Sequence, residues 1–269
     1  RQVFVVVPRI KSSDEGLGVV DLAAELSAVH LAGLRVAVLD ADVYGPSMPK
    51  LFGLTGKPEA SSAEGKRMKP MSRYGLEVAS IGFLVDEDAP MIWRGPMVMS
   101  ALTQLLREVE WSETDVMVVD MPPGTGDAQL TLAQNTPLSG AVIVSTPQDL
   151  ALIDARKGLN MFKKVNVPLL GIVENMSYFT PAELPDNKYF IFGKDGGKKL
   201  ADEMHIPFLG QIPLVQSICE GGDSGNPIVL NETSPEAIAF LQVASNVAQQ
   251  IAIRNANLAP TLPVDSLGS

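Results

Sequence analysis

One cysteine, Cys219, and two histidines, His30 and His205, stand among 269 residues. A lone thiol excludes an intramolecular disulfide and any metal site built from several cysteines of one chain. It also fits a reducing compartment, so a cytoplasmic setting is expected. Long apolar runs are missing too. The longest, such as Val3–Val7 and Gly140–Val144, have strand length and fall far short of a bilayer span, and no secretory leader is legible. Positive charge is scarce: 21 Lys+Arg against 31 Asp+Glu leave a net −10. A surface of that sign repels nucleic acid and anionic membrane, so neither is an expected partner. With 46% hydrophobic and only 19% charged residues, the chain has the composition of a globular protein rather than a disordered one. It opens on Arg1 and enters an apolar segment at once, an opening expected of a chain whose natural start lies upstream.

What is present is an alternation. Short apolar runs at Val3–Val7, Leu34–Leu39, Asp115–Val119, Gly140–Val144, Pro168–Val173 and Pro207–Ile212 are nearly continuous in hydrophobicity, as strands buried on both faces of a parallel sheet are. Longer helical patterns lie between or after them, at Val19–Leu31, Val98–Val109, Gln129–Asn135, Leu150–Lys164, Gly196–Glu203 and Pro235–Ile253. The order predicts right-handed βαβ units, hence an α/β fold with a doubly wound, mostly parallel sheet and helices on both faces. No repeat or linker divides the chain. Residues 1–254 are expected to form a single domain and 255–269 a disordered, Pro-rich tail. Residues 54–73 read as a polar excursion.

Ligands of such sheets bind beyond the carboxyl ends of the strands, so the residues after each run carry the chemistry. Asp40 and Asp42 follow the second run, in DADVYGPS. Two carboxylates at i and i+2 can serve as Mg²⁺ ligands or orient a water; the same residues also suit a solvated turn held by Asx hydrogen bonds. Asp120 ends the run VMVVD and is followed by Met-Pro-Pro-Gly124-Thr-Gly126-Asp127. An apolar strand ending in Asp is how a Walker B carboxylate reaches a nucleotide-bound metal, and the glycines let backbone N–H groups face a γ-phosphate. Pro147 in STPQD and Asn175 in ENMS end two further runs. An Asn there can meet the edge of a purine while Pro packs on its ring, although both segments are also ordinary loops.

Taken together, DADVYGPSMP, MIWRGPMVMSAL, VVDMPPGTGDAQLTLAQ, GAVIVSTPQDLALIDARKG, GIVENMSYF, IFGKDGGKKLA and ICEGGDSGNPIV resemble the Mrp/ApbC/NBP family, MinD-type P-loop ATPases that carry iron–sulfur clusters. The resemblance spans about residues 1–252. It implies iron–sulfur cluster carriage or assembly coupled to ATP binding and hydrolysis, with ATP/Mg²⁺ and a 4Fe–4S cluster as cofactors. It also implies a homodimer and client apoproteins as partners. By the family's pattern Asp120 holds the Mg²⁺ through water, Asp40 and Asp42 orient the attacking water and metal, Gly124 and Gly126 sense the γ-phosphate, and Asn175 with Pro147 holds the adenine.

Two departures stand against that pattern. The family's phosphate loop, GKGGVGKST, lies between its first strand and first helix, where this chain reads Arg9-Ile-Lys11-Ser-Ser-Asp14-Glu15-Gly16-Leu17. Asp14 and Glu15 bring like charge to a triphosphate, and a like-charge contact in a partly buried site costs on the order of a few kcal/mol. Lys11, one step from the family's additional lysine, is the cation left for phosphate. The family's CxxC, which in a dimer gives one cluster four thiolates, is replaced by TPAELPDN at 180–187, and no iron–sulfur ligands are identified. A second reading follows from these losses: a pseudo-ATPase scaffold, or dimeric interaction protein, that no longer binds ATP through this loop.

Overall fold

The computed structural model describes residues 35–61, 67–85, 95–124, 126, 129–130, 132–133, 136 and 138–259, and the backbone of 3–8. Lys11 and the rest of 9–17, the expected helix at 19–31, and Thr125 and Asp127 lie outside the described residues, as do 260–269.

The six apolar runs are all strands: β1 (Val3–Pro8), β2 (Val36–Asp40), β5 (Val116–Met121), β6 (Gly140–Ser145), β7 (Leu169–Glu174) and β8 (Phe208–Gln211). Two shorter strands, β3 (Met71–Arg73) and β4 (Leu76–Ser80), join them in one sheet of order β3-β4-β2-β5-β1-β6-β7-β8. Only the β3–β4 pair is antiparallel; the remaining neighbours run parallel. The α-helices bounded among the described residues are α1 (Met48–Leu51), α2 (Gly95–Arg107), α3 (Asp149–Lys164), α4 (Gly196–Met204), α5 (Gln216–Ser224) and α6 (Pro235–Asn257).

Alternation along β2 shows how the layers form. Val36 and Val38 face a core shared with Met48 of α1, with Phe52 just after it, and with Phe240, Val243 and Val247 of α6. Ala37 and Leu39 face the opposite core, with Leu102 of α2, Leu159 and Phe162 of α3 and Leu200 of α4. Both sets are buried, which is why the run carries no polar alternation. The doubly wound architecture read from the sequence is therefore the one observed.

Three elements differ from expectation. Part of the excursion at 54–73 is sheet: β3 meets β4 through Tyr74 and Gly75, both at positive φ (53° and 75°), a turn whose twist suits a two-residue hairpin. Helix α5 was not expected because Gly221 and Gly222 weaken an isolated helix; both are buried, and the close packing there overrides propensity. Helix α6 runs to Asn257, so residues 255–257, expected to begin the tail, continue the helix.

Candidate functional site

The carboxyl ends of the central strands meet at two carboxylates. In the β2–β5 register Asp40 lies opposite Asp120, and Asp120 lies opposite Val7 of β1. Side chains of registered parallel neighbours leave the sheet on the same face, so both carboxylates rise on one side of the strand ends. One step further, the Ala41 N–H donates to the Asp120 carbonyl at 2.8 Å. Both aspartates are fully buried.

Asp40 is held from three sides. Its Oδ2 accepts from the Ser80 hydroxyl at 2.8 Å and the Met48 N–H at 3.3 Å, and its Oδ1 from the Asp42 N–H at 3.1 Å. Burial pushes its pKa up from 3.8 to about 6; the hydrogen bonds from Ser80 and Met48 act against that rise and the Asp42 charge adds to it. Asp42 forms the Asx turn open to it from the sequence, accepting the Tyr44 and Gly45 N–H groups at 3.3 and 3.2 Å. It is nevertheless buried. The turn is thus a fixed wall of the site rather than a solvated bend.

Beyond Asp120 the chain turns through two prolines to Gly124, at φ +98°, a conformation that disfavours any side chain. The buried Gln129 ties this turn down, its Nε2 donating to the Pro122 carbonyl at 3.2 Å and also to the Pro123 carbonyl. Gly126 is exposed. The next strand ends are adjacent as well, Ser145 registering with Glu174. Pro147 is buried, and its carbonyl oxygen packs against Gly193 and Gly196. Asn175 is half-buried; its backbone N–H donates to the Ser145 carbonyl at 2.8 Å and its Oδ1 accepts the Met176 N–H at 2.9 Å. Asp40, Asp42 and Asp120 are thus gathered at one strand-end crevice with Gly124 near them in sequence. Pro147 and Asn175 stand two and three strands away from β5, after β6 and β7.

Sequence reasoning passed over three residues that hold these groups. Ser80, at the end of β4, donates to Asp40; its signal was invisible because β4 itself was not read. Gln129 fixes the Pro-Pro turn. Glu174, fully buried, accepts from the Ser177 hydroxyl, from the Gly197 N–H at 2.7 Å and from Gln211 Nε2 at 3.0 Å. It therefore joins β7, α4 and β8. An ionisable residue closing an apolar run is the one hint the sequence carries for such a role. Among the described residues no group of three or more His, Cys, Asp or Glu side chains is placed to hold a metal ion. A Mg²⁺ shared between one carboxylate and nucleotide phosphates needs no such group. None of the described helices is long and apolar enough to cross a membrane.

A mostly parallel, doubly wound sheet with buried aspartates at the ends of β2 and β5, followed by a proline-glycine turn, defines the P-loop NTPase class of MinD-like folds. Solved structures of that fold agree. The nucleotide-binding protein in complex with ADP from Archaeoglobus fulgidus superposes with a TM-score of 0.66 at 32% identity, over 89% of this chain and 92% of that one. The septum site-determining protein MinD of Pyrococcus horikoshii, with Mg-ADP, gives 0.63 at 20% identity over 94% and 99%, a likeness of fold. The family model described as ParA, the NUBPL iron-transfer P-loop NTPase, matches residues 6–248. The chain belongs to that family. It is 50% identical over 252 residues to the mouse iron-sulfur cluster transfer protein NUBPL, covering 93% of this chain and 78% of that protein. It is 47% identical over 244 residues to the iron-sulfur cluster carrier protein of Escherichia coli K12, covering 90% and 66%.

Proposed function

We propose that this chain carries or assembles iron–sulfur clusters for client apoproteins, with a nucleotide site at the carboxyl ends of β2 and β5 and a homodimer as the working form. The observation that carries the reading is the pair of buried carboxylates, Asp40 and Asp120, registered across two neighbouring strands. Two carboxylates brought side by side at adjoining strand ends are placed to meet a Mg²⁺–phosphate group, which is how this fold class uses them. In this reading Asp120 would hold a Mg²⁺ through water, and that ion would supply neutralising charge to the phosphates. Asp40, its pKa pushed up by burial to about 6, and Asp42 orient the attacking water and the metal. Gly124 and Gly126 face the γ-phosphate, Asn175 and Pro147 the adenine, and Lys11 the phosphate tail. The cluster is cargo. Cys219 gives a symmetric pair of chains only two thiolates, and no iron–sulfur ligands are identified among these residues.

The replacement of GKGGVGKST by residues carrying Asp14 and Glu15 favours a second reading, a pseudo-ATPase that keeps the fold as a scaffold. Titration calorimetry with ATP and ADP in Mg²⁺ separates the two, run on this chain and on a variant with GKGGVGKST at 9–17. Micromolar binding by the unaltered chain supports the nucleotide-coupled carrier. Binding by the variant alone leaves an intact site disabled at one loop and makes the scaffold the working account.

A further inference from the structure

A groove of about 660 Å³ opens between α3 and α4; its lining includes none of Asp40, Asp42 and Asp120 but shares Pro147 with the adenine side of the proposed nucleotide site. That volume lies within the roughly 300–1,000 Å³ of ligand-binding clefts. Leu152, Ile153 and Phe192 line it together with the cations Arg156, Lys194 and Lys199. On its apolar side Ile153 is 52% exposed, and Leu150, which lies one turn earlier on α3 and outside the groove lining, is 78% exposed. At i and i+3 these two share a helix face.

The charges on the rim do not cancel. Two acids border the groove, Asp149 and Glu203. Glu203 is taken up by Arg156 in an ion pair. Asp149 sits in the first turn of α3, where the positive end of the helix offsets its charge. Lys194 and Lys199 have no carboxylate partner among the described residues. The Lys194 ammonium rests over the Phe190 ring at 4.9 Å, which keeps its stem along apolar surface with the charge outward. A chain of net charge −10 thus presents a basic rim around the exposed Ile153 and the half-buried Leu152 and Phe192.

We infer that this groove docks an acidic segment of a partner protein, which lays one or two bulky apolar side chains against Leu152, Ile153 and Phe192 and sets carboxylates against Lys194 and Lys199. One wall is stiff, because the Pro147 carbonyl packs directly on the start of α4, where a Cβ on Gly196 would lie 2.2 Å from it. The occupant therefore meets a preformed surface, which limits the ordering cost of binding. The inference uses neither nucleotide nor cluster chemistry, so its failure leaves the proposed function standing.

Fluorescence anisotropy tests it with a short fluorescein-labelled peptide of Glu, Leu and Phe and a counterpart with Lys in place of Glu. The acidic peptide is expected to saturate the chain and the basic one not to bind. Lys194→Glu with Lys199→Glu should weaken the acidic peptide by roughly tenfold or more and admit the basic one. Lys194→Gln with Lys199→Gln gives the same loss by a milder change if the reversal fails to fold, and Ile153→Ser should weaken binding without altering the preference for acid. Equal binding of both peptides, or affinity untouched by the lysine variants, overturns the inference. So does displacement by inorganic phosphate beyond that given by sodium chloride of equal ionic strength, which would mark a site for a free anion.

Discussion

Asp40 shows how a single residue couples stability to the site. Its carboxyl is buried first and hydrogen-bonded second, and the net result is a pKa raised from 3.8 to about 6. A displacement of that size corresponds to about 3 kcal/mol between the two protonation states. In this pH window the folded state binds more protons than the unfolded one. The contribution is fully present below pH 4 and is lost as the pH rises through 6. Asp40→Asn removes the charge and keeps the side-chain shape, although its amide N–H₂ replaces one acceptor of the Ser80 and Met48 donors. The stability of Asp40→Asn relative to the parent should therefore rise by roughly 1–3 kcal/mol between pH 4 and pH 7. Paired denaturant titrations at the two pH values measure that difference, and a constant gap would show that Asp40 is already ionised in the folded chain.

At the scale of elements, the second half of the site depends on how closely α4 approaches the strand ends. Glu174 caps the helix through the Gly197 N–H, and the Pro147 carbonyl occupies the space a side chain at 196 would need. A Cβ added to Gly196 would also lie 2.7 Å from Leu152. The carbonyl cannot yield, since it is backbone, whereas the Leu152 methyl ends a flexible side chain and can move aside. Gly196→Ala should cost about 3 kcal/mol. The change would appear as a lower denaturant midpoint with an unchanged slope. Wild-type stability in that variant would mean that α4 can slide, and that the wall of the groove is softer than its packing implies.

For the whole molecule the decisive quantity is the charge of −10. Two such chains repel one another over a range set by the ionic strength, about 10 Å at 0.1 M salt. The proposed homodimer should therefore tighten as salt is raised, while acidic peptides at the α3–α4 groove should loosen. Sedimentation velocity at two salt concentrations reads the first effect. A dimer that dissociates on adding salt would require attraction between oppositely charged patches, and would count against a dimer held by apolar and nucleotide contacts.

The sequence by itself determined the layers and the chemistry of the strand ends. Continuous apolar runs such as Gly140–Val144 specify strands buried on both faces, and the aspartates that end the runs of β2 and β5 mark positions facing the crevice. Asp40, Asp120 and the Pro-Pro-Gly turn were legible for that reason. What tertiary structure decided rests on pairing between distant segments. Ser80 reaches Asp40 only because β4 lies beside β2, Glu174 acquires its donors from α4 and β8, and α5 forms around two glycines that its neighbours enclose. The groove belongs to the same class: the sequence placed Leu150–Lys164 on a helix, and only the position of α4 with its lysines sets a basic-rimmed cleft beside it. Periodicity records which side of an element is buried, whereas the partners of a buried polar group are set by the strand order and register that bring remote segments together.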